Sequence, residues 1–151
     1  MLRKTLPKII VFIDGGSRGN PGPAAFGVVF QDQFCKTIKE FSQVLGKATN
    51  NQAEYSALIF AFKKAKALFG KDYVKKTQFE IRSDSELLVR QMQGKYKIKE
   101  QGMQALFLEA WNLKIDFGDV KLVLIKREDN KRADRLLNEA LDAQTRKQTL
   151  F

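Results

Sequence analysis

Two acidic residues stand at the ends of strand-like segments. Asp14 follows the continuous apolar run at 9–13, and Asp84 follows the segment 79–83, in which apolar and polar residues alternate. Both patterns are typical of β-strands. If the two strands are parallel neighbours, their carboxyl ends lie at one edge of the sheet, where ligand sites of α/β proteins are common. The sequence therefore predicts two neighbouring carboxylates at a sheet edge.

Two further acids, Glu54 and Asp134, fall in the first turns of predicted helices. Each is predicted to lie on the apolar, core-facing side of its helix. The apolar residues that follow at helical spacing are Leu58, Ala61 and Ala65 after Glu54, and Leu137 and Leu141 after Asp134. A carboxylate on such a face is costly unless it has a partner or binds a metal. The helix dipole also favours an acid in a first turn, but it does not explain the two acids at strand ends.

The composition restricts the chemistry of these acids. The chain has no histidine and a single cysteine. These counts exclude histidine-based nucleophilic schemes and zinc held by histidines or by several cysteines. Four carboxylates suit hard, oxygen-preferring ions such as Mg²⁺ or Mn²⁺, and two such ions about 3.5–4 Å apart can clamp a phosphodiester. A purely structural network of acids is the alternative that spacing alone leaves open.

The net charge indicates the kind of partner. Lys and Arg number 27 against 17 Asp and Glu, for a formal charge of +10. Such a charge on a small domain favours a polyanion, nucleic acid before an anionic membrane, although a basic surface that only aids solubility is the alternative. No apolar run approaches the roughly 18 residues of a membrane span, and the N-terminus lacks a secretory pattern. We expect a cytoplasmic protein that does not bind membranes.

The remaining sequence predicts the elements that position the acids. Further strands are predicted at 24–31, 34–45 and 120–126, and helices at 52–69, 85–93, 103–115 and 131–143. This order predicts an α/β fold, a mixed sheet covered by helices, in one domain over 1–151 with its core at 9–143 and a short polar tail at 144–151. Cys35 falls in a predicted strand, where we expect a buried, inert thiol.

Four segments resemble the motifs of the type 1 ribonuclease H family. They are 12–22, 49–55, 82–92 and 127–141, they occur in the family's order, and each carries one of the four acids. The resemblance implies a ribonuclease H-like fold with a five-stranded mixed sheet in the order 32145, flanked by helices. The basic extension of some members is reduced here to 94–99, as in compact archaeal-like members.

The resemblance also implies a function. It is a metal-dependent endoribonuclease that cuts the RNA strand of RNA–DNA hybrids and leaves 5′-phosphate and 3′-hydroxyl ends. The implied catalytic and metal-binding residues are Asp14, Glu54, Asp84 and Asp134. Asp14 would bridge two Mg²⁺ or Mn²⁺ ions, Asp134 would help hold the ion that activates water, and Glu54 and Asp84 would hold the other.

Seven residues match the family's substrate contacts. They are Gly15, Ser17, Asn20, Thr49, Asn50, Asn51 and Gln52. A glycine-rich loop lets its backbone approach a nucleic acid closely, and amide side chains can both donate to and accept from the ribose 2′-hydroxyl that distinguishes RNA from DNA. Ordinary turn and cap roles are the alternative for Asn20 and Asn50.

Besides the reduced basic extension, the chain departs from the family's pattern in two further places, and three other functions stay open. Glu86 stands where many members have Gln, and the loop 127–130, with Glu128 and Asp129, lacks the histidine of many relatives. The alternatives are a hybrid-binding module without catalysis, a nuclease that also cuts double-stranded RNA, and a fragment of a reverse transcriptase. We expect a monomer. Residues 148–151 of the chain faintly resemble a clamp-binding tail. The alternative is that they form a packed or frayed end.

Overall fold

The computed structural model describes residues 7–149, which form a five-stranded mixed sheet with helices on both faces. The strands are β1 Lys8–Ser17, β2 Gly22–Asp32, β3 Thr37–Ala48, β4 Gln78–Ser83 and β5 Asp119–Leu124. Their order in the sheet is β3-β2-β1-β4-β5. The pairs β3–β2 and β2–β1 are antiparallel, whereas β1–β4 and β4–β5 are parallel. The predicted fold class and strand order are confirmed.

Five α-helices cover this sheet. They are α1 Asn50–Phe69, α2 Lys71–Lys76, α3 Glu86–Met92, α4 Gln101–Ile115 and α5 Lys131–Thr149, and a 3₁₀ turn at Arg127–Asp129 precedes α5. The connection from α3 to α4 contains no further helix, as the compact form requires. Among residues 7–149, no helix combines the length and apolar character needed to cross a membrane.

The core lies mainly between the sheet and α1. Val11 and Ile13 of β1 pack in one apolar cluster with Leu58 and Phe62 of α1. On the opposite face of the sheet, α5 packs on β2 through a smaller cluster around Val29. The first turns of α1 and α5 follow directly from loops at the edge of the sheet where β1 ends. The N-terminal end of each helix therefore lies beside the carboxyl end of β1.

Local sequence explains the bounds of α1. Thr49 is the N-cap, and it forms a capping box with Gln52, in which each side chain accepts a hydrogen bond from the other residue's backbone N–H. The helix ends at Gly70, whose φ of 88° is readily adopted only by glycine. Leu58, Ala61 and Ala65 are buried, so the core-facing stripe that begins at Glu54 is confirmed.

Three local predictions need correction. Cys35 is exposed, with φ 64°, in the turn between β2 and β3 rather than buried in a strand. The Asp32 carboxylate accepts hydrogen bonds from the backbone N–H groups of Phe34 and Lys36, and this widens the turn. Helix α5 continues to Thr149 instead of ending near 143, and α2 was not predicted. Residues 150 and 151 of the tail lie outside the described residues.

Candidate active site

The parallel pairing of β1 and β4 brings the first two acids together. Its register runs from Lys8 opposite Gln78 to Phe12 opposite Arg82, and it stops there. Asp84 follows β4 immediately. Strand β1 continues past Asp14 because its pairing with β2 persists to Ser17. Asp14 therefore lies inside a strand, at the point where the neighbouring parallel strand ends and the sheet edge opens.

Glycine at position 15 allows α1 to deliver the third acid. A Cβ atom on Gly15 would lie 2.3 Å from the backbone carbonyl atoms of Ala53 and 2.5 Å from the backbone nitrogen of Glu54. These distances are far below van der Waals contact, so only glycine permits the first turn of α1 to lie against β1 here. The role of Gly15 in the structure is thus close packing beside the acids.

Three of the four predicted acids form one compact group. Carboxylate oxygens of Asp14, Glu54 and Asp84 lie within 4.8 Å of one another. Asp14 is 6% exposed and Glu54 8%. The prediction that Asp134 faces the core is wrong: it is exposed in the first turn of α5, and it is not a member of that group. It nevertheless lies near enough to Asp14 to act on the pKa of Asp14 through both its charge and a hydrogen bond.

Burial and mutual repulsion disfavour the charged forms of this group. Burial, followed by the negative charges of Asp84 and Asp134, raises the pKa of Asp14 from 3.8 to about 8. Burial, followed by the charge of Asp14, also raises the pKa of Glu54 well above its usual value. The Arg127 guanidinium lies 3.7 Å from the Asp84 carboxylate, but its side chain is 92% exposed, so water screens its charge.

The group fits a divalent cation. Glu54 Oε2 is buried without a hydrogen-bond partner among the described residues. Such an orphaned oxygen is costly unless something else contacts it. The donors are all carboxylate oxygens, which hard ions such as Mg²⁺ and Mn²⁺ prefer. Asp14, Glu54 and Asp84 would hold a first ion, and Asp14 with Asp134 would hold a second.

The glycine-rich loop and the start of α1 are joined by hydrogen bonds. Asn50 Oδ1 accepts from the backbone N–H of Ser17 at 2.9 Å and from its hydroxyl at 3.2 Å. The Asn20 side-chain oxygen accepts from the backbone N–H of Asn50 at 3.1 Å. Asn51 lies exposed in the first turn of α1. The turn role considered for Asn20 and Asn50 is therefore present in the structure, and substrate contact by these residues is left as a prediction.

One open cleft contains the acids and part of the loop. It has a volume of about 470 Å³, and all four acids line it. The predicted substrate residues that line it are Gly15, Ser17, Asn50 and Asn51. Asn20, Thr49 and Gln52 do not line the cleft, and the last two form the capping box of α1. Three residues of the lining that the sequence analysis did not single out are Arg18, Arg127 and Asn138.

The departures from the family's pattern lie outside the acid group. Glu86 accepts a hydrogen bond of 2.9 Å from the hydroxyl of Tyr96, in the connector between α3 and α4. Glu128 and Asp129 are exposed in the 3₁₀ turn. Asn130, which sequence analysis treated only as part of a loop, is 1% exposed and donates through Nδ2 to the Ile13 carbonyl at 2.8 Å. It ties the start of α5 to β1 directly before Asp14.

Comparisons with known proteins agree with this fold. A family model described as reverse transcriptase-like matches residues 12–140. Ribonuclease HI of Halobacterium salinarum is 40% identical over 135 residues, which cover 89% of this chain and 65% of the relative. A bifunctional protein of Mycobacterium tuberculosis is 39% identical over 137 residues, covering 90% of this chain and 36% of the relative. The chain thus spans about a third to two thirds of the length of these curated relatives.

A solved structure shows the same likeness over a whole chain. The crystal structure of LC11 ribonuclease H1 in complex with an RNA/DNA hybrid has a TM-score of 0.86 and 45% identity, and the match covers 91% of this chain and 99% of that one. The sheet order and the acid group are those expected of a ribonuclease H-like domain. The chain belongs to the type 1 ribonuclease H family.

Proposed function

We propose that this protein is an endoribonuclease that hydrolyses the RNA strand of RNA–DNA hybrids with two divalent ions, Mg²⁺ or Mn²⁺. The observation that carries the proposal is the group of Asp14, Glu54 and Asp84, which lines an open cleft and includes one buried Glu54 oxygen without a hydrogen-bond partner among the described residues. A purely structural acid network would be expected to have its hydrogen bonds satisfied. When bound, the ions supply Lewis-acid activation of water and stabilisation of the leaving oxygen.

The residues of the chain divide the remaining work. Asp14 belongs to the compact group and also interacts with Asp134, so it would be the residue that helps to hold both ions. Ser17 and Asn50, linked to each other on the wall of the cleft, are placed to contact the backbone of the RNA strand. Gly15, Asn20, Thr49, Asn51 and Gln52 complete the substrate-binding set that we propose on the family's pattern. The products carry 5′-phosphate and 3′-hydroxyl ends.

Charge and likeness support the choice of substrate. The formal charge of +10 suits a nucleic-acid duplex. LC11 ribonuclease H1, at 45% identity, has been solved in complex with an RNA/DNA hybrid. The presence of all four acids supports catalysis over mere binding. We propose further that the protein acts as a monomer in the cytoplasm and as one domain over 1–151.

A cleavage panel tests this function. End-labelled RNA–DNA hybrid, with the label on either strand, is compared with duplex RNA, duplex DNA and single-stranded RNA, each with Mg²⁺, with Mn²⁺ and with EDTA. We expect cleavage of the RNA strand of the hybrid alone, and only with a divalent ion. Cleavage in EDTA would contradict the metal mechanism. Binding without cleavage would identify a hybrid-binding module, and comparable cutting of duplex RNA would broaden the substrate.

A further inference from the structure

A chain of polar contacts connects the glycine-rich loop to Asp134 on α5. Asn138 lies one turn after Asp134 on α5, and its Nδ2 donates to the Asp134 carbonyl at 2.9 Å and to the Asp134 carboxylate at 3.2 Å. Arg18, in the loop, donates through Nη2 to Asn138 Oδ1 at 3.3 Å. The same nitrogen lies 2.6 Å from the carboxylate of Asp142, one turn further along α5.

The charges at the two ends fix the orientation of the Asn138 amide. Its NH₂ group faces the negative carboxylate of Asp134, and its oxygen faces the positive guanidinium of Arg18. A flipped amide would set oxygen against carboxylate and NH₂ against guanidinium, both of which are repulsive. Arg18 thus orients the amide that holds Asp134. Asp142 holds Arg18 in turn, so the contacts act as a network rather than as one exposed ion pair.

Arg18 is itself held by the loop. Its backbone N–H donates to the Pro23 carbonyl at 2.8 Å, across the turn between β1 and β2. The preceding residue, Ser17, is bonded to Asn50 at the start of α1. The contacts of Arg18 therefore join the loop, which lines one wall of the cleft, to the helix that carries Asp134.

Asp134 needs such support more than the other acids do. Asp14 and Glu54 are buried, and packing restricts their side chains. Asp134 is exposed on a helix surface, so burial does not restrict its side chain and the orientation of its carboxylate depends on polar neighbours. Neighbours that orient a metal ligand commonly alter metal affinity by about 10- to 100-fold.

We propose that Arg18 and Asn138 are positioning residues: they hold the Asp134 carboxylate where it joins Asp14 at a metal ion, and they couple that ion to the glycine-rich loop. The inference rests on the proposed function, because it takes Asp134 as a metal ligand. Replacement of Arg18 distinguishes a positioning role from a purely electrostatic one. Removal of a positive charge near a cation site should by itself strengthen cation binding, whereas loss of a positioning contact should weaken it.

The test measures metal binding without substrate. Mn²⁺ is titrated calorimetrically into the metal-free protein, the variants Arg18→Ala and Asn138→Ala, and the double variant. The matched control is Arg135→Ala, which removes an equal charge from α5 at a residue paired with Glu139 instead of with this network. Thermal unfolding of each metal-free variant shows that it is folded.

We expect each single variant to lower the affinity for the Mn²⁺ ion that Asp134 helps to hold by about tenfold. The affinity of the double variant should be little lower than that of either single variant, since both substitutions break the same chain of contacts. Arg135→Ala should bind as tightly as the original protein or slightly more tightly. Unchanged or tighter binding by Arg18→Ala or Asn138→Ala would overturn the proposal, even if hybrid affinity fell. Absence of Mn²⁺ binding by the original protein would overturn the proposed metal mechanism and this coupling with it.

Discussion

Two buried acidic regions on adjacent strands of the same sheet have opposite surroundings. Glu80 of β4 is 8% exposed, and it lies 3.1 Å from the Lys8 ammonium and 2.6 Å from Arg82 Nε. Burial acts to raise the pKa of Glu80, but hydrogen bonds and charges from Arg82 and Lys8 outweigh it, and the pKa is lowered. Asp14 of β1 has a similarly small exposed fraction, and its burial, together with the charges of Asp84 and Asp134, raises its pKa to about 8.

The difference distinguishes an acid that is paired within the fold from acids that we propose to bind a metal ion. Glu80 receives its counter-charges from the chain itself, as a buried charge requires for stability. The group around Asp14 and Glu54 has no comparably close cation among the described residues, and one Glu54 oxygen has no partner. In its charged state this group therefore lacks a close counter-charge from the described residues, which supports the proposed metal site.

The largest effect is expected on cleavage. Asp14→Asn should lower the single-turnover rate on RNA–DNA hybrid by several orders of magnitude, because it removes a ligand shared by both ions. Glu80→Gln, the matched change in the other region, should leave the rate largely unchanged. Comparable losses in both variants, with both folded, would mean that the two regions do not differ in function.

Stability should respond to the same two substitutions with opposite signs. Because the pKa of Asp14 is raised in the folded state, its contribution to the free energy of unfolding is fully favourable only below about pH 4. This contribution is lost as pH rises through about 8. In EDTA at pH 8.5, Asp14→Asn should therefore raise the free energy of unfolding, by about 1–2 kcal/mol. Its advantage should shrink at pH 5.

Glu80 titrates in the opposite sense. Its lowered pKa means that its contribution is present above its unfolded pKa and is lost as pH falls through the folded value. Glu80→Gln should lower the free energy of unfolding at pH 7, by about 1 kcal/mol after allowance for the partly exposed partners, and less at low pH. Urea unfolding at two pH values measures both variants, and equal signs would contradict the comparison.

The pH dependence of activity should follow the metal. The chain has no histidine, so no imidazole sets an inflection near pH 6.5. Protons and metal compete for the acids of the site, whose pKa values at Asp14 and Glu54 are raised by burial. We expect the acid limb of the single-turnover profile to move to lower pH as Mg²⁺ concentration rises. An acid limb that stays in place would assign it to another protein group.

A smaller effect is expected from lysines that the fold leaves unpaired. Lys95, Lys97 and Lys99 are exposed in the connector after α3 and take part in no ion pair within residues 7–149. Gln91 holds this connector by donating to the Lys97 carbonyl at 3.3 Å.

Replacing the three lysines by Ala should weaken hybrid binding and flatten its salt dependence, because each phosphate contact releases counterions. Lys63→Ala is a control, since that lysine is paired with Glu109. Filter binding at several salt concentrations gives the slope. An unchanged slope would mean that the connector does not contact the hybrid.

Periodicity was sufficient to predict much of the fold and the three central acids. The buried stripe after Glu54 and the apolar strand before Asp14 are local patterns, and they predict which face each acid occupies. The order of the strands followed from the resemblance. Helix α2 has only six residues, too few to show a period, and the last turns of α5 are polar, without an apolar stripe to mark them.

What the sequence did not predict depends on long-range contacts of side chains. Arg18 and Asn138 are 120 residues apart, and their hydrogen bond requires the loop and α5 to meet in a way that no local pattern specifies. The exposure of Asp134 on the surface of α5 has the same origin. Cys35 was misplaced for a local reason, because the Asp32 side chain widens its turn.

The most direct test of the central claim is the effect of Mg²⁺ on unfolding. A ligand that binds only the folded state stabilises it in proportion to the logarithm of its concentration. We predict that Mg²⁺ raises the thermal midpoint of the original protein and of Glu80→Gln alike, and raises that of Asp14→Asn little or not at all. An equal rise in Asp14→Asn, or no rise in the original protein, would contradict the claim that the unpaired acids form a metal site.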